Sequence, residues 1–482
     1  MTSPPSTSDL CASGLRFAVV GGGITGLAAA HRLQELAPTC RVVLLEAGPR
    51  LGGVLQTQRR DGYLIERGPD MFTTGEPWAV DLCRRLGIEN ELIGVNPDHR
   101  QAFIIHRGRL VPVPEGFTLM APARVWPVLT TPLLSTRGKL RLFREFFIPP
   151  RRDNGDESLA SFATRRLGQE AYERLVQPLI SGIYTADPEK LSMAAALPQF
   201  VEMERRYGGV ARALRRSGKK EDHRSGGARY NRFVTLRDGM ESLVQRLAAR
   251  LPEGSVRLNA PVEALARGPD HRWTLTVREN DQPRQETFDG VILALPASAA
   301  ARLLRPVDAA LADSLASIPF AGVAIPVAAY RREQIAHPLN GFGCVAPLVE
   351  NRNLVSISFS SVKFPGRAPE GCVLFRAFMG GACQPHLLDL SDEELWKLAN
   401  QEFRELLGVR GEPQFLEIVR WRNVMPQYHL GHLERVQAIE ERAAQLPGLE
   451  MAGNAYRGVG IPFCIRSGEA AAQRLVDSRP SA

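Results

Sequence analysis

The sequence predicts an α/β fold combined with α+β: a discontinuous Rossmann-like nucleotide domain, a second domain on a mixed sheet, and a helical domain. Three observations predict it. The first is one short unit, Phe17-Ala-Val-Val-Gly-Gly-Gly-Ile-Thr-Gly-Leu-Ala-Ala-Ala30 followed by Arg41-Val-Val-Leu-Leu-Glu46, which reads as strand, glycine turn, helix, strand and acid. The second lies far downstream, where Asp289-Gly-Val-Ile-Leu-Ala-Leu-Pro296 has the continuous apolar pattern of a buried strand and returns the chain to the same sheet. The third is length, because 482 residues exceed a single core and call for two or three domains.

In the first unit Gly21, Gly23 and Gly26 fit G-x-G-x-x-G, with Gly22, Ile24 and Thr25 between them. The first glycine allows the tight turn, the second lets backbone approach a pyrophosphate, and the third brings helix against strand. The helix N-terminus then faces the anion. Glu46 lies 20 residues past Gly26, where a carboxylate accepts hydrogen bonds from ribose hydroxyls. Arg50-Leu-Gly-Gly53 follows directly, and Tyr63-Leu-Ile-Glu-Arg-Gly-Pro-Asp70 follows a turn at Asp61-Gly62. A second and a third glycine loop point to a longer, more enclosed dinucleotide such as FAD.

Composition narrows the class further. Hydrophobic residues at 44% and charged residues at 23% describe a globular protein. The net charge of +8 is spread along the chain, which argues against a nucleic-acid arm and for an anionic substrate or a membrane surface. Seven cysteines without a C-x-x-C spacing suggest neither a disulfide framework nor a metal site, and fit a reducing compartment. Residues 1–13 read as a disordered leader without the pattern of a signal peptide. No run of 18 apolar residues lacks a charge, so a spanning helix is not expected. Phe117 to Leu142 mixes apolar bulk with Arg124, Arg137, Lys139 and Arg141, a composition that suits either one leaflet of a bilayer or a helical cap on a core. Pro122, Pro127 and Pro132 prevent one long helix there.

Further along, a helical pattern runs from Pro77 to Ile93 and ends at Gly94, and Gln101 to Val113 alternates like a hairpin around Arg107-Gly108. Arg144 to Asn154 reads as a linker, Asp156 as the cap of a helix through Leu167, and Gln169 to Leu179 as a second helix. Small residues around Gly182 would let a flat ligand approach the backbone, or simply end a helix before an Asp187-Pro188 turn. Lys219 to Arg229 is a polar break read as a mobile loop. Val256 to Leu265 and Trp273 to Val277 read as strands, and Val323 to Tyr330, Leu354 to Phe359 and Val373 to Phe378 as a second sheet. Near the end, Gly453 closes a strand and Gly458 and Gly460 precede a helix starting near Ile465, a second helix N-terminus of use beside an electron-rich ring. His31, His99, His106, His429 and His432 receive no role.

The glycine fingerprint, Arg50-Leu-Gly-Gly53 and Gly453-Asn454 resemble the amine oxidase and phytoene desaturase group of flavoproteins. Glu66-Arg-Gly-Pro-Asp70, Ser181-Gly-Ile-Tyr-Thr-Ala-Asp-Pro-Glu-Lys-Leu-Ser192, Pro426-Gln-Tyr-His-Leu-Gly-His432 and Gly453-Asn-Ala-Tyr-Arg-Gly-Val-Gly460 resemble, more narrowly, its FAD-dependent protoporphyrinogen and coproporphyrinogen oxidases. The resemblance implies a p-hydroxybenzoate-hydroxylase-like FAD domain (14–98, 230–300 and 415–478), a substrate domain (99–115, 195–229 and 301–414) and a helical membrane-associated domain (116–194). It implies that Gly21 to Gly26, Glu46, Ala47, Arg50, Gly68, Pro69, Asp70 and Met71 hold FAD. Val262 would meet the adenine through its backbone, and Trp421, Val459, Gly460 and Ile461 would line the isoalloxazine. Gly182 would present its carbonyl to pyrrole N–H groups, while Val345 and Phe378 would sandwich a ring. Gln56 departs from the pattern, since some members carry an arginine there.

The implied reaction removes six electrons from a porphyrinogen of heme biosynthesis in three hydride transfers to flavin N5, with oxygen as acceptor and no catalytic side chain. Protoporphyrinogen IX is narrowly favoured over coproporphyrinogen III. The resemblance further implies a cytoplasmic enzyme resting on the inner face of the cell membrane, with a ferrochelatase and a second copy of the chain as candidate partners. A flavin amine oxidase or carotenoid desaturase, and a flavin-free binding protein like the Rab GDP-dissociation inhibitors, are the rival readings.

Overall fold

A computed structural model describes residues 14–122, 124, 126–153, 155–217 and 233–478. The leader and the Lys219 to Arg229 break therefore lie outside the described residues. The N-terminal unit folds as β1 (Arg16–Val20), α1 (Ile24–Leu36) and β2 (Arg41–Leu45). The same sheet collects β3 (Val256–Arg257), β4 (Gly290–Leu293) and β5 (Leu449–Met451). Its order is β3-β2-β1-β4-β5, all parallel, so three distant segments build one nucleotide-type sheet. Such strands are apolar throughout because both faces are covered.

On one face α1 crosses the C-terminal helix Ile461–Asp477. Small residues make the approach close: a Cβ on Gly468 would fall 2.2 Å from the Thr25 carbonyl oxygen, and Ala28, Ala29, Ala471 and Ala472 are buried around it. Gly26 is equally confined, since its Cβ would lie 1.8 Å from the Gly21 carbonyl oxygen. Only glycine fits either position.

The second sheet has seven strands in the order Phe415–Pro426, Phe320–Arg331, Cys372–Gly380, Ser356–Phe359, Gly343–Val345, Ala102–His106 and Arg109–Pro112. It is mixed, with a parallel pair only where Gly343–Val345 meets Ala102–His106. Phe415–Pro426 is its edge strand, so the sequence boundary at 415 assigns this strand to the wrong sheet. Helices between Trp126 and Ser217 pack against the hairpin end of this sheet around Phe162, Leu175, Val176 and Ile180.

Several local expectations shift. The helix from Pro77 shortens to Trp78–Arg85, because Gly87 turns left-handed (φ 75°) and Leu92–Gly94 pairs as a strand. Ser158, not Asp156, caps the helix Leu159–Leu167. The expected linker from Arg144 is instead a short 3-10 helix whose Glu145 is buried against Arg166 and accepts the Val210 N–H at 2.9 Å. Glu204 pairs with the same Arg166 at 3.2 Å, which pins the segment down. Val256 to Leu265 divides between two sheets at the left-handed Asn259 and at Pro261. The helix expected near Ile465 starts at Ile461.

Gly468→Val is expected to lower stability by about 1–3 kcal/mol through overpacking. Urea denaturation of the FAD-loaded protein checks this, and an unchanged midpoint would show that the two helices separate without cost.

Candidate active site

The phosphate end is built from backbone. Gly21 (φ 107°) turns the chain out of β1, and Gly23 stands extended as the N-cap of α1, with no side-chain cap and no acid in the first turn. A Cβ on Gly23 would meet nothing within 4 Å. Among the described residues the first N–H groups of α1 have no side-chain cap and lie beside open space, a cradle suited to a pyrophosphate. The Arg50 loop closes one side, where Gly52 N donates to Gly22 O at 2.8 Å and Gly23 bridges to Gly52. The Arg50 guanidinium braces that loop by donating to the carbonyl oxygens of Leu51 (3.0 Å) and Gly53 (2.5 Å).

Glu46 accepts Gly22 N through Oε2 and Gly48 N through Oε1, both at 2.7 Å. Each oxygen keeps a further lone pair for a ribose hydroxyl. Ala47 continues that turn, and Ala260 N donates to Glu46 O at 2.9 Å, which places Val262, the first residue of the next strand, beside the acid.

The loop Gly68-Pro69-Asp70-Met71, the ring loop, is the one expected to hold FAD. A Cβ on Gly68 would lie 1.9 Å from Val54 O. The second sheet holds this loop from the other side: Trp421 Nε1 donates to Arg67 O at 2.7 Å, and Arg376 Nη2 to Gly68 O at 2.8 Å. Asp70 carries an ion pair with Lys363 (2.5 Å) and a longer one with Arg376 (3.4 Å). Burial pushes the Asp70 carboxyl up, but the two cations outweigh it and hold it below the usual carboxylate range. Met71 packs against Val95, Phe233 and Phe364.

Opposite stands the N-terminus of the C-terminal helix, with Gly460 as an extended, uncapped N-cap and Ile461 as first residue. The preceding turn is held by the Pro426 to His432 stretch. Tyr428 Oη donates to Asn454 O at 2.5 Å and accepts Gly458 N at 2.8 Å, while the His432 ring stacks on Tyr428 at 4.0 Å and contacts Tyr456 O at 2.9 Å through Nε2. Burial lowers His432 from 6.5 to about 4. Sequence reasoning gave His432 no role; here it braces the turn that carries Val459.

The remaining residues converge as well. Val345, Val459, Ile183 and Tyr184 pack on one apolar cluster, and a Cβ on Gly182 would sit 3.4 Å from Val345 Cγ1. Phe378 and Trp421 share another cluster. Ala382 N donates to Thr185 O at 2.8 Å, tying the strand of Phe378 to the end of the helix Gln177–Tyr184. That helix follows a π-helical turn at Tyr172–Val176, just before Pro178, which has no N–H to give. The contacts that sequence reasoning missed are Lys363 and Arg376. The available signal was Arg376 lying two residues before Phe378, on the same face of a strand.

The model for flavin-containing amine oxidoreductases matches residues 24–476. The chain belongs to that family. Its cofactor is FAD, and the uncapped α1, open Gly23 and two-sided Glu46 fit it. Within the family the chain is 36% identical to a coproporphyrinogen III oxidase of Propionibacterium freudenreichii, covering 97% of this chain and 92% of that one. It is 33% identical to a coproporphyrinogen III oxidase of Bacillus subtilis, over 94% and 96% of the two chains. A crystal structure provisionally assigned as a protoporphyrinogen oxidase from Exiguobacterium superposes with a TM-score of 0.85 at 32% identity, over 96% and 99%. This flavoenzyme thus shares its whole length with porphyrinogen oxidases.

Because His432 is neutral in the fold, its stabilising contribution is full above pH 6.5 and is lost as pH falls through about 4. The unfolding midpoint of the FAD-loaded enzyme is expected to fall across that window, less steeply for His432→Gln. Identical pH slopes for the two proteins would remove His432 from this account.

Proposed function

We propose that this flavoenzyme oxidises a porphyrinogen to the porphyrin in heme biosynthesis. The observation that carries the reading is a pair of adjacent apolar clusters, Val345 and Val459 beside Gly182 in one and Phe378 and Trp421 in the other, joined where Ser356 pairs with both Val345 and Phe378, an apolar and backbone-rich surface fit for a flat macrocycle. Gly182 belongs to the last turn of its helix, whose carbonyls have no intrahelical N–H to accept, so its oxygen is available to pyrrole N–H groups. FAD, when bound, supplies the two-electron acceptor. The side chains orient the ring and exclude water; over three steps the substrate gives three hydrides from meso carbons and three protons, two from nitrogen and one from the fourth meso carbon by tautomerisation. Three oxygen molecules take up the six electrons and leave as hydrogen peroxide.

Two substrates fit this reading. The motif resemblance favours protoporphyrinogen IX, while the two coproporphyrinogen III oxidases that the chain matches along its length favour coproporphyrinogen III. Anaerobic bleaching of the bound flavin by each, and by an amine, separates them: bleaching by a porphyrinogen and not by the amine is expected. Bleaching by the amine alone would overturn the proposal.

We further propose peripheral membrane contact on the cytoplasmic face, with a ferrochelatase as recipient of the product and a homodimer as the assembly. Among the described residues no helix is long and apolar enough to cross a membrane. Support for surface contact comes from Trp126 (73% exposed) and Phe147 (84% exposed), with Arg137, Lys139 and Arg144 between them in the chain. Co-sedimentation with anionic vesicles is expected to fall at least tenfold in Trp126→Ser/Phe147→Ser, and undiminished binding would remove this surface from the proposal.

A further inference from the structure

Lys363 and Arg376 are deeply buried beside the Gly68–Met71 loop, at 5% and 1% exposure, and both pair with one carboxylate, Asp70. The neighbouring charges do not redress the balance. Arg367 is bonded to the carbonyl oxygens of Arg237 and Leu236, and Glu66 to Met240 N and the Thr57 hydroxyl. Glu66 acts electrostatically on both Arg376 and Arg367, so three buried cations stand against two carboxylates, Asp70 and Glu66. Arg376 is only partly satisfied. Nη2 donates to Gly68 O, its guanidinium carbon lies 5.0 Å from the Phe378 ring centroid, and Nε and Nη1 make no hydrogen bond among the described residues. A buried cation without its own anion is costly, so the fold retains this one at a stability penalty.

The placement gives that penalty a use. Arg376 touches the backbone of Gly68 and stands on the strand face that carries Phe378, while Trp421 holds the adjoining Arg67 carbonyl. We propose that Arg376 is a positioning residue that sets the flavin's reduction potential: its surplus positive charge, held against the Gly68–Met71 loop, favours the negatively charged two-electron-reduced ring. Two electrons and one proton arrive together as hydride from the substrate, and Arg376 offsets the negative charge left on the ring. Lys363 serves the same end by neutralising Asp70, which otherwise cancels Arg376. The inference rests on the reading that the Gly68–Met71 loop borders the isoalloxazine.

The test uses FAD-loaded protein and measures the two-electron potential against a reference dye, together with the visible flavin spectrum and the KM for porphyrinogen. Arg376→Met is expected to shift the reduced-to-oxidised equilibrium at least tenfold toward oxidised, about 30 mV for a two-electron couple. Arg376→Lys, which keeps the charge, is expected to stay near the parent. Should Arg376→Met fail to retain FAD, Lys363→Met removes the other cation and is expected to lower the potential in the same direction. An unchanged potential in Arg376→Met with a native spectrum overturns the inference. A raised KM at an unchanged potential also overturns it, and assigns the guanidinium to a substrate carboxylate instead. Trp421→Phe serves as the control on position: if neither variant perturbs the flavin spectrum, the loop does not border the ring and the underlying reading fails.

Discussion

The crossing of α1 on the C-terminal helix is the contact on which the rest of the structure depends. Gly468 lies against the Thr25 carbonyl with no space for a side chain, and alanines carry the contact onward along both helices. The helices are locked there, and their uncapped N-termini, at Gly23 and Gly460, follow the carboxyl ends of β1 and β5. That is where open parallel sheets bind ligands. A dinucleotide flavin carries negative charge on its phosphates always and on its ring when reduced, and a helix N-terminus favours each. One glycine at the far end of the chain therefore sets the spacing of a site whose fingerprint lies at the beginning.

The ring loop is held mainly from across the domain boundary. Trp421, Arg376 and Lys363 all belong to the second sheet or its connections, and all reach the backbone or side chain of Arg67 to Asp70. The strands proposed as the wall that faces the substrate thus also support the ring loop. A change made to alter substrate fit on the Phe378 strand also reaches the loop, two residues away at Arg376, and cofactor tuning and substrate recognition are coupled by construction.

The glycines were legible because their reason is local or backbone-made: Gly21 and Gly52 adopt positive φ, Gly26 and Gly68 face carbonyls, and no other residue substitutes. Of the three returns of the chain to the parallel sheet, the one at Gly290–Leu293 was legible as a buried apolar strand, whereas Val256–Arg257 and Leu449–Met451 are too short and too charged to assign to that sheet from pattern. What escaped was polar and long-range. Glu145 with Arg166, and Lys363 with Asp70, are ordinary charges in sequence, and only the folded chain shows that they are buried together. The Pro426 to His432 stretch was read as a motif, yet its work, Tyr428 and His432 bracing the turn before Gly460, is a matter of stacking geometry that spacing does not reveal. Helix ends moved for the same reason: Ile461 begins its helix four residues early because Gly460 is extended and Pro462 is pre-set for a first turn.

The proposed chemistry places an unusual demand on this wall, and the charge arrangement meets it. A porphyrinogen that has lost hydride carries a positive charge, and a surface already positive from Arg376 and from a helix N-terminus makes that charge unfavourable. The simplest relief is loss of a proton from a pyrrole nitrogen, which restores neutrality without a basic side chain nearby. Under the proposed reading, carbonyl oxygens such as that of Gly182 would accept the N–H before the step but would not hold the proton afterwards. An electropositive wall thus favours the reduced cofactor and the deprotonated product with the same charge. This fits a surface where an arginine, glycines and apolar side chains meet and where the loop carboxylate, Asp70, is already paired with Lys363 and Arg376.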